Sequence, residues 1–139
     1  MKKISKILAL LMLTFGLIAS SEAQTVTVSV LWTNPTLATD NSPLTGLYAL
    51  TKIQIFASST PMKIGFSDPP LVPYMELVPV NGVMPTQMSY TPGVQPKQTI
   101  YFRGRACNIN GCSVYSTEVN KYNPGTTAVP VTVTLTTAP

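Results

Sequence analysis

TIYFRGRACNINGCSVYSTEVNK, residues 99–121, is the stretch of sequence that decides the fold. Apolar and polar residues alternate over positions 99–107, which is the period of a half-buried β-strand. Asn108, Asn110 and Gly111 give the next four residues the composition of a tight turn. Because residues 113–121 can then return beside the first strand, the sequence predicts a β-hairpin.

Two cysteines flank the predicted turn and should face each other across the hairpin. Directly opposed residues on paired strands have Cβ atoms about 4.5–5.5 Å apart, which is within modest adjustment of a disulfide. Cys107 and Cys112 do not have the Cys-x-x-Cys spacing of redox-active pairs, so we expect a structural disulfide. Continued along the hairpin, the same register places Tyr115 opposite Gly104 on the inner face.

Further short strands are predicted elsewhere in the chain. Residues 25–32, 52–56 and 87–91 show strand-like alternation of β-branched or apolar residues with polar ones. The stretch from 58 to 85 contains six prolines, so it should be loop with short edge strands at best. Short strands separated by turn clusters indicate an all-β protein with a β-sandwich architecture.

The composition argues against several classes of protein. Charged residues make up 10% of the chain, against roughly 25% in an average soluble domain. There is no histidine, which removes the commonest general base and the usual nitrogen ligand of zinc, and two cysteines are too few for a four-ligand site. We therefore expect no enzyme, no cofactor and no metal. A calcium site at Asp40 and Asn41 is the remaining alternative, although such a pair is common in turns.

The first 23 residues have the pattern of a secretory signal peptide. Three lysines precede an apolar run over residues 7–18, and residues 21–23 provide small side chains at the two positions that signal peptidase reads. The run of 12 residues is short for a bilayer span, which needs about 20. We expect an exported protein, periplasmic, extracellular or virion-associated, with no stable membrane span after cleavage. After cleavage, residues 24–139 contain six basic and four acidic residues, and this surplus of positive charge is too small for nucleic-acid binding.

Three motifs resemble those of a fibronectin type III domain and occur in the family's order. Residues 102–116 are similar to the family's last hairpin, because an aromatic residue and alternating arginines precede Ala-x-Asn-x-x-Gly-x-Ser. Leu-Trp-Thr-Asn-Pro at 31–35 resembles the second strand of the family, whose tryptophan anchors the core. Val-Gln-Pro at 94–96 occupies the place of the Leu-x-Pro that precedes the penultimate strand.

This resemblance implies an immunoglobulin-like antiparallel β-sandwich over residues 24–122. It departs from the family at Ile100, which stands where the corner tyrosine is usual. The family's strand A also has no counterpart, because the first predicted strand matches the second strand of the family. Similar domains occur in bacterial and phage surface proteins, mostly as spacers and binding modules.

The two faces of the predicted hairpin sheet differ in character. The inner face and the second strand of the family supply the expected core anchors, which are Trp32, Ile53, Ile55, Phe102 and Tyr115. The outer face would carry a candidate binding surface, here called the sheet face, made of Lys52, Phe56, Tyr101, Arg103 and Arg105. Arginine and aromatic residues are enriched at binding hot spots. The alternative is a solvated face on which arginine lies over the rings.

A secreted, non-catalytic recognition or adhesion module is the function that these features favour. It would act through its loops or the sheet face on a protein or a surface glycan, and it should be a monomer. One alternative is a structural subunit of a cell-surface or virion assembly that pairs through an edge strand. Another is a small inhibitor of an exported enzyme, with the proline-rich segment 61–85 as the inhibitory loop.

The C-terminal segment, residues 123–139, is predicted to be a linker followed by a strand or a tail. Residues 129–137 alternate valine or leucine with threonine and could form a strand. It could extend the hairpin sheet beside residues 113–121, cross to lie parallel to residues 25–32, be donated to another molecule, or stay disordered. The linker of six or seven residues favours the hairpin, because a parallel crossover usually needs a dozen or more.

Overall fold

Alternating sequence forms eight strands in the computed structural model, which describes residues 24–38, 40–65, 71–125 and 131–136. The predicted signal peptide, residues 1–23, lies outside the described residues, as do residues 129, 130 and 137 of the predicted C-terminal strand. A 3-10 turn at Gly46–Tyr48 is the one helical element within these ranges. The strands are β1 Val26–Trp32, β2 Lys52–Ser58, β3 Met75–Leu77, β4 Gln87–Val94, β5 Thr99–Asn108, β6 Gly111–Cys112, β7 Val119–Tyr122 and β8 Val131–Leu135.

The strands form two sheets that share one core. The three-stranded sheet has the order β4-β1-β8, and the five-stranded sheet has the order β3-β2-β5-β6, with β7 also paired to β5. Trp32, Ile53, Ile55 and Phe102 are all buried between the sheets. The predicted all-β class is therefore confirmed, and the two sheets are consistent with a β-sandwich.

The C-terminal strand β8 crosses to the other sheet instead of extending the hairpin. It pairs in parallel with β1, from Val28 opposite Val131 to Trp32 opposite Leu135, so the hairpin arrangement that the short linker favoured is wrong. A connection of a dozen or more residues is needed when the two strands it joins are parallel neighbours in one sheet. β7 and β8 belong to different sheets, which pack about 10 Å apart, so a short connection can step across at the end where β7 finishes.

The hairpin register holds at the disulfide and then shifts. Cys107 lies opposite Cys112, and the predicted disulfide between them is present. Farther along, Phe102 lies opposite Val119, two residues beyond the partner that the disulfide register gives. Between these points the hydroxyl of Ser116 accepts a hydrogen bond from the Gly104 N–H, so a side chain replaces a strand's carbonyl as the partner.

The shift in register removes Tyr115 from the core, where it was expected. Its ring packs edge-to-face on Phe56, with centroids 5.1 Å apart, on the outer side of the five-stranded sheet. The space above Gly104 is filled instead by Leu135 of β8, whose Cδ1 lies 3.1 Å from the position that a Cβ at residue 104 would occupy. The C-terminal strand thus completes the core beside the hairpin.

A fully buried asparagine anchors the connection between the sheets. The Asn123 side chain donates from Nδ2 to the carbonyl oxygens of Gln24, at 2.8 Å, and Val94, at 2.7 Å. Its Oδ1 accepts from the Gly125 N–H at 2.8 Å. Because both N–H groups and the oxygen of the side-chain amide have partners, Asn123 fixes the start of β1, the end of β4 and the exit from β7 relative to one another.

Candidate functional site

The sheet face is held by contacts within the chain. Arg105 lies over two rings that contact each other, with its Cζ 5.4 Å from the centroid of Phe56 and 4.9 Å from that of Tyr115. Its Nε donates to Gln54 Oε1 at 2.6 Å. Phe56 itself is 1% exposed, so the candidate binding aromatic is covered by its neighbours and does not face solvent.

Arg103 joins two loop segments to β5. Its Nη1 donates to the Ser116 carbonyl at 2.8 Å, and its Nη2 donates to the Met62 carbonyl at 3.5 Å. Its Nε lies 3.4 Å from Glu118 Oε2, and the same carboxylate oxygen accepts from the Met62 N–H at 2.7 Å. Both charged side chains are mostly buried, so this ion pair is a brace between segments of the chain.

The remaining members of the sheet face lie at its margins. Lys52 pairs with Glu76 at 2.9 Å, and Gln54 donates to the same carboxylate oxygen. The hydrogen bond from Lys52, and then that from Gln54, lowers the pKa of Glu76 from its ordinary value. Tyr101 is half-buried and lies in register between Ser58 and Asn120. The geometry on this face therefore matches the alternative in which arginine lies over the rings.

Removing the Arg103 side chain should destabilise the fold, in contrast to removing Lys52. Arg103→Ala leaves the mostly buried Glu118 carboxylate without its charge partner and the Ser116 carbonyl without the Arg103 donor, so we expect a loss of about 1–3 kcal/mol. Lys52→Ala breaks a solvent-exposed pair and should cost clearly less than Arg103→Ala, because solvent screens the interaction of exposed charges. Urea unfolding of both variants measures the difference. Equal losses would mean that Arg103 is not a brace.

Three loops meet at one end of the sandwich, where β1 and β5 finish. We call this surface the loop end; it comprises residues 33–38, 40–51, 78–86 and 109–110. The N–H of Trp32 donates to the Thr86 carbonyl and its Nε1 to the Pro85 carbonyl, which ties the end of β1 to the second loop. Asn34 Nδ2 donates to the Met84 carbonyl at 3.0 Å, which ties the first loop to the second. Asn108 Nδ2 donates to the Tyr48 carbonyl at 3.3 Å, which ties the first loop to the hairpin.

Exposed apolar side chains are concentrated at the loop end. Leu47 is 82% exposed, Val83 is 70% exposed and Ile109 is 69% exposed. In the part of the chain that the structure describes, seven of the eleven exposed large apolar residues lie there; they are Leu37, Leu47, Tyr48, Val78, Val80, Val83 and Ile109. An exposed apolar cluster confined to one end of a domain is typical of an interaction surface.

The second loop displays its valines on a rigid tip. Val80 and Val83 exchange backbone hydrogen bonds of 2.9 and 3.0 Å, and the two residues between them both have positive φ, 52° at Asn81 and 76° at Gly82. Asn-Gly with two positive φ values is the preferred composition of a type I′ hairpin turn. The Asn-Gly dipeptide between two valines is a signal that sequence reasoning could have used, and it was missed.

A cleft of about 570 Å³ separates the first loop from the hairpin. Its apolar wall includes Pro35, Leu37, Leu44 and Leu50 from the first loop. The opposite wall is polar and is formed by the turn after β5, together with the disulfide; its residues include Cys107, Asn108, Asn110, Cys112 and Ser113. This volume lies within the range of ligand-binding clefts, roughly 300–1,000 Å³.

The charge at the cleft is a single carboxylate. Asp40 accepts from the Ser42 hydroxyl at 2.6 Å and from the Ser42 N–H at 3.0 Å. These hydrogen bonds, the hydroxyl's first, lower the pKa of Asp40 from its ordinary value, so the group is ionised at neutral pH. No lysine or arginine is among the described residues that line the cleft. A ligand group entering it would therefore be neutral or positively charged.

Neither a metal cluster nor a membrane-crossing helix is found in residues 24–38, 40–65, 71–125 and 131–136. No three His, Cys, Asp or Glu side chains in these ranges come together in a way that could hold a metal ion. No helix there is long and apolar enough to cross a membrane. The chain matches no protein-family model, no curated protein and no solved structure.

Proposed function

We propose that this protein is a non-catalytic recognition module with a fibronectin type III-like fold, which binds a protein partner through the loop end. The observation that carries the proposal is the concentration of exposed apolar side chains on three loops at one end of the sandwich, where the first loop and the hairpin turn also line a cleft. Loops positioned by a rigid sandwich are common sites of recognition. The tip at Asn81 and Gly82 and the disulfide at the hairpin turn limit the conformational freedom that binding would have to remove.

The fibronectin type III-like part of the proposal rests on strand placement as well as motifs. The strand that resembles the family's second strand, β1, lies in one sheet, and the hairpin that resembles its last hairpin lies in the other. β8 takes the edge of β1 that strand A would cover, although it runs parallel to β1. The missing first strand of the family would thus be replaced from the C-terminus.

A protein is favoured over a glycan by the kind of side chain that is exposed. Aliphatic residues such as Leu47, Val83 and Ile109 gain by removal from water against another apolar surface. They offer a sugar no hydrogen bonds and no flat ring face, and Tyr48 is the one aromatic residue among the seven exposed apolar residues described at the loop end. The sheet face is a weaker candidate, because Phe56, Arg103 and Arg105 already contact partners in the chain.

Export is part of the same proposal. The pattern of residues 1–23 suggests cleavage before Gln24, and disulfides such as Cys107–Cys112 persist in oxidising compartments. The protein would then act in the periplasm, outside the cell or on a virion. The inhibitor alternative gains no support from the proline-rich segment, because Met62 is buried and Pro85 is bound to Trp32.

The proposal is tested by removing apolar surface from the loop end while an equal number of exposed apolar residues is changed elsewhere. Mature protein, residues 24–139, is used as bait for envelope proteins. Leu47→Ser, Val83→Ser and Ile109→Ser combined should abolish capture. The matched control combines Ile64→Ser, Val72→Ser and Val114→Ser, which lie outside the loop end and are also exposed, and it should capture the same proteins as the unmodified chain.

Thermal melts should show that both triple variants remain folded. Retention of capture by the loop-end variant, or equal loss in the two triple variants, would contradict a binding site at the loop end. If only glycans compete for capture, the partner is a carbohydrate and the proposed partner class is wrong.

A further inference from the structure

β8 is the outer strand of the three-stranded sheet. Its inner side pairs with β1, and within the described ranges no strand lies against its other side. An unpaired strand edge presents a row of N–H and C=O groups that can join another strand. This edge shares no residue with the loop end.

The peptide groups on the open edge can be identified from the pairing of β1. Trp32 donates its N–H to Thr86, on the β4 side, so alternate residues along β1 point their peptide groups toward β8. Ser29, opposite Thr132, is one of those residues, as is Leu31, opposite Thr134. In a parallel pair, a residue that points toward its neighbour lies opposite one that points away. The N–H and C=O groups of Thr132 and Thr134 therefore face the open edge.

β8 lacks the features that usually protect an edge strand. VTVTL contains no charge, no proline and no glycine, and its register with β1 is regular over all five residues. The other edges are protected. β4 carries Pro92 and has an irregular register with β1, and β3 has three residues and carries Glu76. β6 has only two residues, and β7 carries Lys121. Charges, prolines and short strands are the common means of preventing edge pairing.

We propose that two copies of this chain pair through their β8 edges, antiparallel about a two-fold axis at Val133. The pairing would join two three-stranded sheets into one of six strands. The sequence of β8 is nearly the same in both directions, so Thr132 of each copy lies opposite Thr134 of the other on the exposed face. Cross-strand threonine pairs are favourable, and no like charges meet. A two-fold interface requires this self-complementarity.

The dimer has a consequence for the recognition module, which rests on the proposed function. β8 runs toward the loop end, since Leu135 lies opposite Trp32 where β1 finishes. Antiparallel pairing would then direct the two loop ends away from each other. A dimer of this kind would bridge two partners instead of binding one surface with both sites.

Charge complementation tests the pairing. Thr132→Lys/Thr134→Lys and Thr132→Glu/Thr134→Glu place like charges opposite one another in the homodimer, whereas an equimolar mixture places lysine opposite glutamate. Light scattering of residues 24–139 from low to high micromolar concentration should give a dimer mass for the unmodified chain. Each variant alone should remain at the monomer mass, and the mixture should return to the dimer mass.

Both positions are exposed, so the melting temperatures of the variants should stay close to that of the unmodified chain. A monomer mass for the unmodified chain at every concentration would overturn the proposal. So would a dimer mass for the lysine variant alone, as expected if copies exchange β8, or a mixture that stays monomeric. Because the readout is mass and not capture, failure here is distinguishable from failure of the loop-end site.

Discussion

Leu135→Ala is expected to lower the free energy of unfolding by about 2–5 kcal/mol, the usual range for a buried leucine. Leu135 is 1% exposed and lies in the core next to Gly104, although it comes from the C-terminal strand. Thr134→Ala is the matched control, because Thr134 is the neighbouring position with an exposed side chain. It should change the stability by less than about 0.5 kcal/mol. Urea unfolding measures both values, and a small effect of Leu135→Ala would mean that β8 does not pack on the core in solution.

The contact between Leu135 and Gly104 can be tested in the same variants. Gly104→Val adds volume where Leu135 Cδ1 lies 3.1 Å and Ile55 Cδ1 3.4 Å from the new Cβ, so overpacking should cost about 1–3 kcal/mol. In the Leu135→Ala background that cost should fall or reverse. In a Tyr115→Ala background it should not change, because Tyr115 lies on the outer face. If the cost of Gly104→Val instead fell in the Tyr115→Ala background, Tyr115 would lie over Gly104, as the register of the disulfide alone predicts.

The alternation of neighbouring residues was enough to predict β1, β2, β4 and β5, whereas the hairpin register and the position of β8 depend on contacts between distant residues. Alternation over 99–107 and the turn at Gly111 are readable from neighbouring residues, and both are present. The shift beyond Cys112 depends on hydroxyls: Ser113 and Ser116 accept hydrogen bonds from the backbone of β5. A serine in a strand-like pattern does not reveal that it will replace a carbonyl as the acceptor.

The position of β8 could not be derived from linker length for a related reason. The length of a connection limits the strand positions that can be reached, but the vacant edge of β1 and the space over Gly104 decide which one is occupied. Both features belong to the packed sheets and are not properties of any one segment of the sequence. The sequence suggested a strand at residues 129–137 and an uncovered edge at β1. That this strand pairs with this edge depends on where the strand ends lie in three dimensions, which the sequence pattern does not contain.

Residue type identified the members of the sheet face and did not identify their role. Arg105 and Phe56 are arginine and aromatic types that occur at binding hot spots, and the same types stack within a single chain, where Arg105 lies over Phe56 and over Tyr115, a predicted core residue. The loop end was hard to predict because its exposed side chains are of types that usually lie in the core. Leu47 and Val83 are core types by composition, and their exposure follows from the turns that carry them.

Asn123→Ala should also lower the free energy of unfolding by about 2–4 kcal/mol, although residues 123–125 resemble an ordinary turn in the sequence. The substitution removes the side-chain donor to the carbonyls of Gln24 and Val94, and it also removes the acceptor of the Gly125 N–H. A buried polar group that loses its partner costs about 1–3 kcal/mol. Asn120→Ala is the control, because Asn120 is exposed in the adjoining strand. Urea unfolding should show a small change for the control.

Asn123→Asp separates the hydrogen bonds of Asn123 from its volume. Aspartate has nearly the same shape, but an ionised carboxylate would face two carbonyl oxygens in a buried place, so repulsion and burial should raise its pKa in the folded state. A raised folded pKa makes this variant least stable relative to the unmodified protein at neutral pH. The difference should narrow as the pH falls through the raised pKa toward the unfolded value, because the protonated carboxyl can donate to one carbonyl. Urea unfolding from pH 7 down to about pH 4, where an unfolded aspartate begins to be protonated, measures this narrowing. A constant difference across that range would mean that Asn123 acts through its shape and not as a donor.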